Sequence, residues 1–163
     1  MSIKTYGEPV LRQKAEPVAG ITGEVKKLIE EMKKTMCEAK GVGLAANQIG
    51  IPKSFFIAQL AREDEVRAFF NPNLLPLTDE TEKTEEGCLS IPGIWVEVPR
   101  YLKVRLTARD IEGNPVAVDL EGLPARIVQH EIDHLNGVLI IDRISLAERR
   151  RIAKELAELK TSA

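Results

Sequence analysis

The sequence predicts an α+β fold, on three observations. An amphipathic helical stripe lies near the N-terminus, a run of short apolar and alternating segments fills the middle, and two helical stretches close the chain. Strands that follow one another without intervening helices form antiparallel or mixed sheets, so an alternating βα arrangement with a parallel sheet is excluded. A length of 163 residues suits one domain, and a chain of this size hides roughly two-thirds of its surface on folding. Hydrophobic residues at 44% and charged residues at 29% exclude a disordered, collagen-like or fibrous chain. The reading is therefore one domain over residues 1–163, with its C-terminal helix from about residue 145.

The first element is a helix over residues 24–39, where Val25, Leu28, Ile29, Met32 and Met36 share one face and Glu and Lys the other. Thr22 is placed to cap its start and Gly41 to close its end. Residues 54–60 and 66–70 are short apolar strands around the charged turn Arg62-Glu63-Asp64, a hairpin whose second strand Asn71-Pro72-Asn73 should break. Residues 101–110 alternate Leu102, Val104, Leu106 and Ala108 with Lys103, Arg105, Thr107 and Arg109, so one face of that strand is buried. A turn at Ile111-Glu112-Gly113-Asn114 leads into a further strand over 115–120. A helix then starts near Gly122, with Pro124 in its first turn, and ends at Gly137. The last helix carries Leu146, Ile152, Leu156 and Leu159 as its apolar stripe. Aromatics are only 4% of residues, which predicts a mostly aliphatic core.

Charge and cysteine content narrow the function classes. Lys and Arg number 23 against 25 Asp and Glu, a net charge of −2 that argues against a general or sequence-specific nucleic-acid binder. Two cysteines distant in sequence make no disulfide framework and suit a reducing compartment. The opening residues lack the apolar stretch of a signal peptide, and runs such as Val138-Leu139-Ile140-Ile141 are far too short to span a membrane, so a cytoplasmic location is expected.

The sharpest chemical signal is His130-Glu131-Ile132-Asp133-His134. Residues four apart on a helix lie one above the other, so both imidazoles reach one metal while the intervening glutamate faces a bound water. These are the only two histidines, and chance places two residues four apart in a chain of this size about once in 80. A metzincin arrangement is excluded, because Ile140 stands where its third histidine belongs and no Met follows Met36. Three sources of further ligands remain open. Cys88, in Glu86-Gly87-Cys88-Leu89-Ser90, follows an acidic, exposed stretch and is held by a loop. Glu155 would give a thermolysin-like site. Cys37 together with Cys88 and both histidines would make a closed structural zinc site, although Cys37 reads better as a packed helix residue. A third segment, Gly41-Val42-Gly43-Leu44-Ala45-Ala46-Asn47-Gln48, fits either close approach of a ligand to the backbone or a plain turn after a helix.

Taken together, these three segments resemble the signature motifs of the peptide deformylase family, in order and at similar spacing. The opening Pro9-Val10-Leu11-Arg12-Gln13-Lys14-Ala15 is similar to the family's N-terminal segment, and the resemblance covers roughly residues 3 to 145. It implies antiparallel and mixed sheets around a central metal-binding helix, and an amidohydrolase that removes the formyl group from the N-terminal formyl-methionine of nascent polypeptides. By position it implies Cys88, His130 and His134 as metal ligands, Glu131 as acid and base, and Gln48 with the backbone N–H of Leu89 as oxyanion donors. The peptide would lie along Val42, Gly43 and Leu44, with its methionine side chain against Gly87 and Ile127. The resemblance further implies one divalent metal ion, Fe(II) in the cell with Zn, Ni or Co able to substitute. It also implies a monomer and docking on the ribosome through the C-terminal helix, where Arg149, Arg150, Arg151, Lys154 and Lys160 equally read as a solvated face. Arg126 stands where the family has an apolar residue, as a rim salt bridge or an influence on substrate preference. Trp95, the only tryptophan, either shapes the mouth or packs.

Overall fold

The computed structural model of the chain describes residues 1–162. Helix α1 spans Gly23–Glu38, and the Thr22 hydroxyl caps it by accepting from the Val25 N–H at 3.3 Å. It buries Ile29, Met32 and Met36, each at most 1% exposed, and each such side chain contributes about 1.5–3 kcal/mol. Gly41 closes it through its N–H, which donates to the Met36 carbonyl at 2.9 Å, but it does not take the left-handed conformation. Lys40 takes the left-handed conformation instead, at φ 58°. Cys37 is exposed on this helix, so it does not pack as the sequence suggested.

Five strands form the main sheet: β1 (Gly43–Ala45), β2 (Phe55–Ala58), β3 (Arg67–Pro76), β6 (Lys103–Arg109) and β7 (Pro115–Glu121), hydrogen-bonded in that order and antiparallel throughout. Strands β4 (Thr81–Cys88) and β5 (Ile91–Tyr101) form a separate antiparallel pair. Helix α2 (Leu123–Leu135) packs on one face of the main sheet with Phe56, Phe69, Val104 and Leu106. Helix α1 packs on the other with Leu44, Phe55, Ile57 and Phe70. Period-two alternation explains the split: Phe55 pairs with Phe70 on one face at 5.3 Å between ring centres, and Phe56 with Phe69 on the other at 5.1 Å. All four phenylalanines are thus buried, and the core is less aliphatic than composition implied. A third cluster joins the β4–β5 pair to the C-terminal segments through Ile91, Val96, Val98, Ile152 and Leu156.

Four elements differ from expectation. Asn71-Pro72-Asn73 does not end its strand. Asn71 sits at φ 48°, its amide bonds both backbone groups of Val18 (2.8 and 2.9 Å), and β3 passes the proline through an irregular register to reach Pro76. The acidic stretch before Cys88 is strand β4, so that cysteine ends a strand and does not sit on a free loop. Strand β5 was masked by Pro92 and Pro99, although Ile94, Val96 and Val98 alternate. The last helix is two, α3 (Leu146–Arg151) and α4 (Ala153–Ser162), divided at Ile152; Leu146 is 65% exposed and lies outside the buried stripe.

Candidate metal centre and substrate cleft

Three elements converge on one point. Helix α2 presents His130 and His134 four residues apart, with ring centres 5.0 Å from one another. The end of β4 brings Cys88 Sγ to 3.3 Å from His134 Nε2. One ligand atom from each of Cys88, His130 and His134 lies within 4.8 Å of the others. The segment after β1, a turn of 3-10 helix over Ala46–Ile49, carries Gln48, whose Nε2 donates to Ser90 Oγ at 3.1 Å and lies 3.8 Å from Cys88 Sγ. Glu131, 3% exposed, sits above Gly43: a Cβ added there would lie 2.9 Å from the Glu131 carboxyl carbon. Glycine at 43 therefore makes room for a carboxylate, a use the turn reading does not cover.

This donor set fits a metal ion. One thiolate and two imidazoles form the open three-ligand pattern of catalytic sites, and each imidazole has a nitrogen left for the metal. His130 spends Nδ1 on Glu86 Oε1 at 2.9 Å, which leaves Nε2 toward Cys88 and fixes the ring. Glu131 Oε2 is buried without a hydrogen-bond partner among the described residues, as a base awaiting a water would be. The other ligand sets lose their support. Cys37 is exposed and outside the cluster, and Glu155 is exposed on α4.

Burial and neighbouring charge tune these groups in opposite directions. Burial pushes the Glu131 carboxyl up to about 7, against the pull of the His130 and Arg100 charges. Burial also raises Glu86, but hydrogen bonds from His130 and Arg100 outweigh it and hold that carboxyl at about 2. Burial, with the His130 and Arg100 charges, keeps His134 well below the ordinary imidazole value. A neutral His134 is the form that ligates metal.

A second layer of residues went unassigned in the sequence. Glu86 takes two bonds from Arg100, at 2.9 and 3.0 Å, one from Arg126 and one from His130. Arg100 also pairs with Asp133, which is held from the other side by Arg143. Glu86 opens the Glu86-Gly87-Cys88-Leu89-Ser90 segment, where no local pattern marks its role. Arg100 is an inward position of β5, a strand that Pro92 and Pro99 conceal in the sequence.

A cleft of about 540 Å³ opens over the cluster, lined among others by Val42, Gly43, Gly87, Leu89, Ile127 and Glu131. Ile127 is among the residues that line it. The Leu44 side chain is fully buried in the α1 core, because on β1 it faces opposite to Gly43, so only its backbone is left for the pairing that the resemblance implies. Trp95 is 58% exposed at the mouth and covers Gly87, where a Cβ would meet the ring at 2.7 Å.

Comparison with known proteins agrees with this geometry. The family model described as polypeptide deformylase matches residues 1–150. The peptide deformylase of Thermotoga neapolitana is 45% identical over 161 residues, covering 99% of this chain and 97% of that protein. The Pseudomonas aeruginosa peptide deformylase is 43% identical over 96% of this chain and 94% of its own length. Among solved structures, Arabidopsis thaliana peptide deformylase 1B with an inhibitor bound superposes with TM-score 0.94 at 36% identity, covering 99% of this chain and 91% of that one. The Thermotoga maritima peptide deformylase gives 0.84 at 48% identity, over 88% and 96%.

Proposed function

The chain belongs to the polypeptide deformylase family, metal-dependent hydrolases that remove the formyl group from the N-terminal methionine of nascent chains, and from that premise we propose which of its residues perform the reaction. The supporting observation is the convergence of Cys88, His130 and His134 beneath a buried carboxylate oxygen that has no partner. Those three residues hold the metal. When bound, the ion acidifies a water toward pKa 7 or so and polarises the formyl carbonyl.

Glu131 takes the proton of the attacking water and passes it to the departing amine, a shuttle suited to a carboxyl poised at about 7. Gln48 Nε2 and the backbone N–H of Leu89 donate to the oxygen that gains charge as the formyl carbon becomes tetrahedral. The peptide pairs with the backbone of Val42, Gly43 and Leu44, since β1 is a terminal strand of its sheet. The methionine side chain enters the cleft between Gly87 and Ile127. The described residues contain no helix long and apolar enough to cross a membrane.

In the cell the ion is Fe(II), with Zn, Ni and Co accepted by the same thiolate and imidazole donors. The protein works as a cytoplasmic monomer of one catalytic domain and meets nascent chains at the ribosome through the basic residues of α3 and α4. The deciding experiment is formate release from a short formyl-methionyl peptide by anaerobically purified protein, beside Glu131→Ala and metal analysis. Formate from the wild type alone, with about one metal per chain, supports the assignment. Equal release from Glu131→Ala removes the proton shuttle from it.

A further inference from the structure

The cleft is not the only cavity next to the site. A second, of about 230 Å³, adjoins it, lined by residues that include Glu82, Thr84, Arg100, Tyr101 and Leu102. Two side chains line both cavities, Arg126 and Leu123. Leu123 is 67% exposed at the rim, whereas the Arg126 side chain is only 11% exposed, so Arg126 forms the inner part of the wall.

Its guanidinium is held on three sides. Nη1 donates to Glu86 and to the Val98 carbonyl at 2.7 Å, and Nη2 donates to the Glu82 carbonyl at 2.6 Å. Glu82 and Glu86 lie on β4 and Val98 on β5, so a residue of α2 is bolted across both strands of the hairpin. A long side chain with its head so anchored is a fixed partition, because leaving its position breaks several charge-assisted bonds at once. Its methylene stem is what remains free to meet apolar atoms in the cleft.

We propose that Arg126 is a specificity-determining residue for the deformylation reaction: it ends the side-chain pocket and sets the longest first side chain the enzyme accepts. This rests on the deformylase reading. An apolar side chain longer than methionine's is excluded because its terminal carbons would have to occupy the space of the Arg126 stem. With that stem removed, the two cavities become one and the extra carbons gain a place to be buried.

The test compares kcat/KM for formyl peptides whose first residue is methionine with that for peptides bearing an unbranched alkyl chain three or four carbons longer. Binding of the corresponding unformylated peptides is measured by calorimetry. Arg126→Ala raises the long-to-methionine ratio about tenfold or more in both measurements, the usual size of a pocket-length effect. Arg126→Met, which refills the space, keeps the ratio within about threefold of wild type. An unchanged ratio in folded, metal-loaded Arg126→Ala overturns the proposal, as does a rise in Arg126→Met equal to that of Arg126→Ala. Should Arg126→Ala not fold, Leu123→Ala opens the exposed half of the same wall, and absence of any rise there overturns the proposal equally. Failure of the deformylase reading is separate, since wild-type protein would then release no formate from the methionine peptide while the binding ratio still reports on the partition.

Discussion

The β2–β3 ribbon and the junction of the β4–β5 hairpin with α2 are both buried, yet they are built from opposite materials. Between β2 and β3, two phenylalanine pairs fill both faces of the sheet and no charge is enclosed. At the junction, Glu86, Arg100, Glu131, Asp133 and His134 are all less than 9% exposed. Apolar packing stabilises in proportion to the area it removes from water. A buried ion pair contributes little over an apolar substitute of the same shape, although losing one partner is costly. The charged junction is therefore a device for holding side chains in place, and the ribbon beside it supplies the stability.

That contrast is sharpest in a pair of substitutions with crossed outcomes. Glu131→Ala should lower turnover by about a thousandfold while leaving the melting temperature near or above wild type, because it removes a buried carboxylate that has an unpartnered oxygen. Phe56→Ala should cost about 3–5 kcal/mol of stability, read by denaturant titration, with turnover per folded molecule unchanged. If Phe56→Ala damages turnover as heavily as Glu131→Ala, the two regions are not separable.

Arg100→Met tests the junction directly. It leaves Glu86 and Asp133 short of a shared cation and should cost about 3–5 kcal/mol. Replacing Arg100, Glu86 and Asp133 together with apolar residues should abolish activity without recovering that stability in full, because Arg126 then loses Glu86 and Arg143 loses Asp133.

Acid should reach the junction before the ribbon. Glu86 is held at about 2 in the folded chain against an ordinary 4.5, so its ionised form is favoured by folding. The associated stability, about 3 kcal/mol, is complete above pH 5 or so and is lost as pH falls toward 2. Melting curves of metal-free protein across that range should slope accordingly, and Glu86→Gln should flatten them. The smallest effect belongs to the helix behind the ribbon, where Thr22→Ala should cost about 1 kcal/mol by removing the cap of α1.

What could be read from the sequence divides along the same line. The ribbon, β6, β7 and both long helices follow from period, caps and turns, which are local properties. The histidine pair was legible because helical spacing alone brings His130 and His134 together, and Cys88 because a site with two histidines needs another ligand. Arg100 was not legible, since its importance depends on Glu86 and Asp133, which lie 14 and 33 residues away in the chain. The role of Arg126 likewise depends on carbonyls of strands that no local pattern places beside α2. Strand β5 escaped because its prolines sit where a two-stranded pair tolerates them and a wider sheet would not.

The unpaired side of β1 has a further consequence for how the protein must be kept. A strand that, on the proposed reading, receives an extended peptide is open to any extended chain, including a partly unfolded copy of itself. At three residues, with Gly43 as its first and Gly41 just before it, it is too short to template a stable intermolecular sheet. On that reading, lengthening β1 to tighten its grip on peptides would trade turnover for self-association, and brevity at this edge limits that exchange.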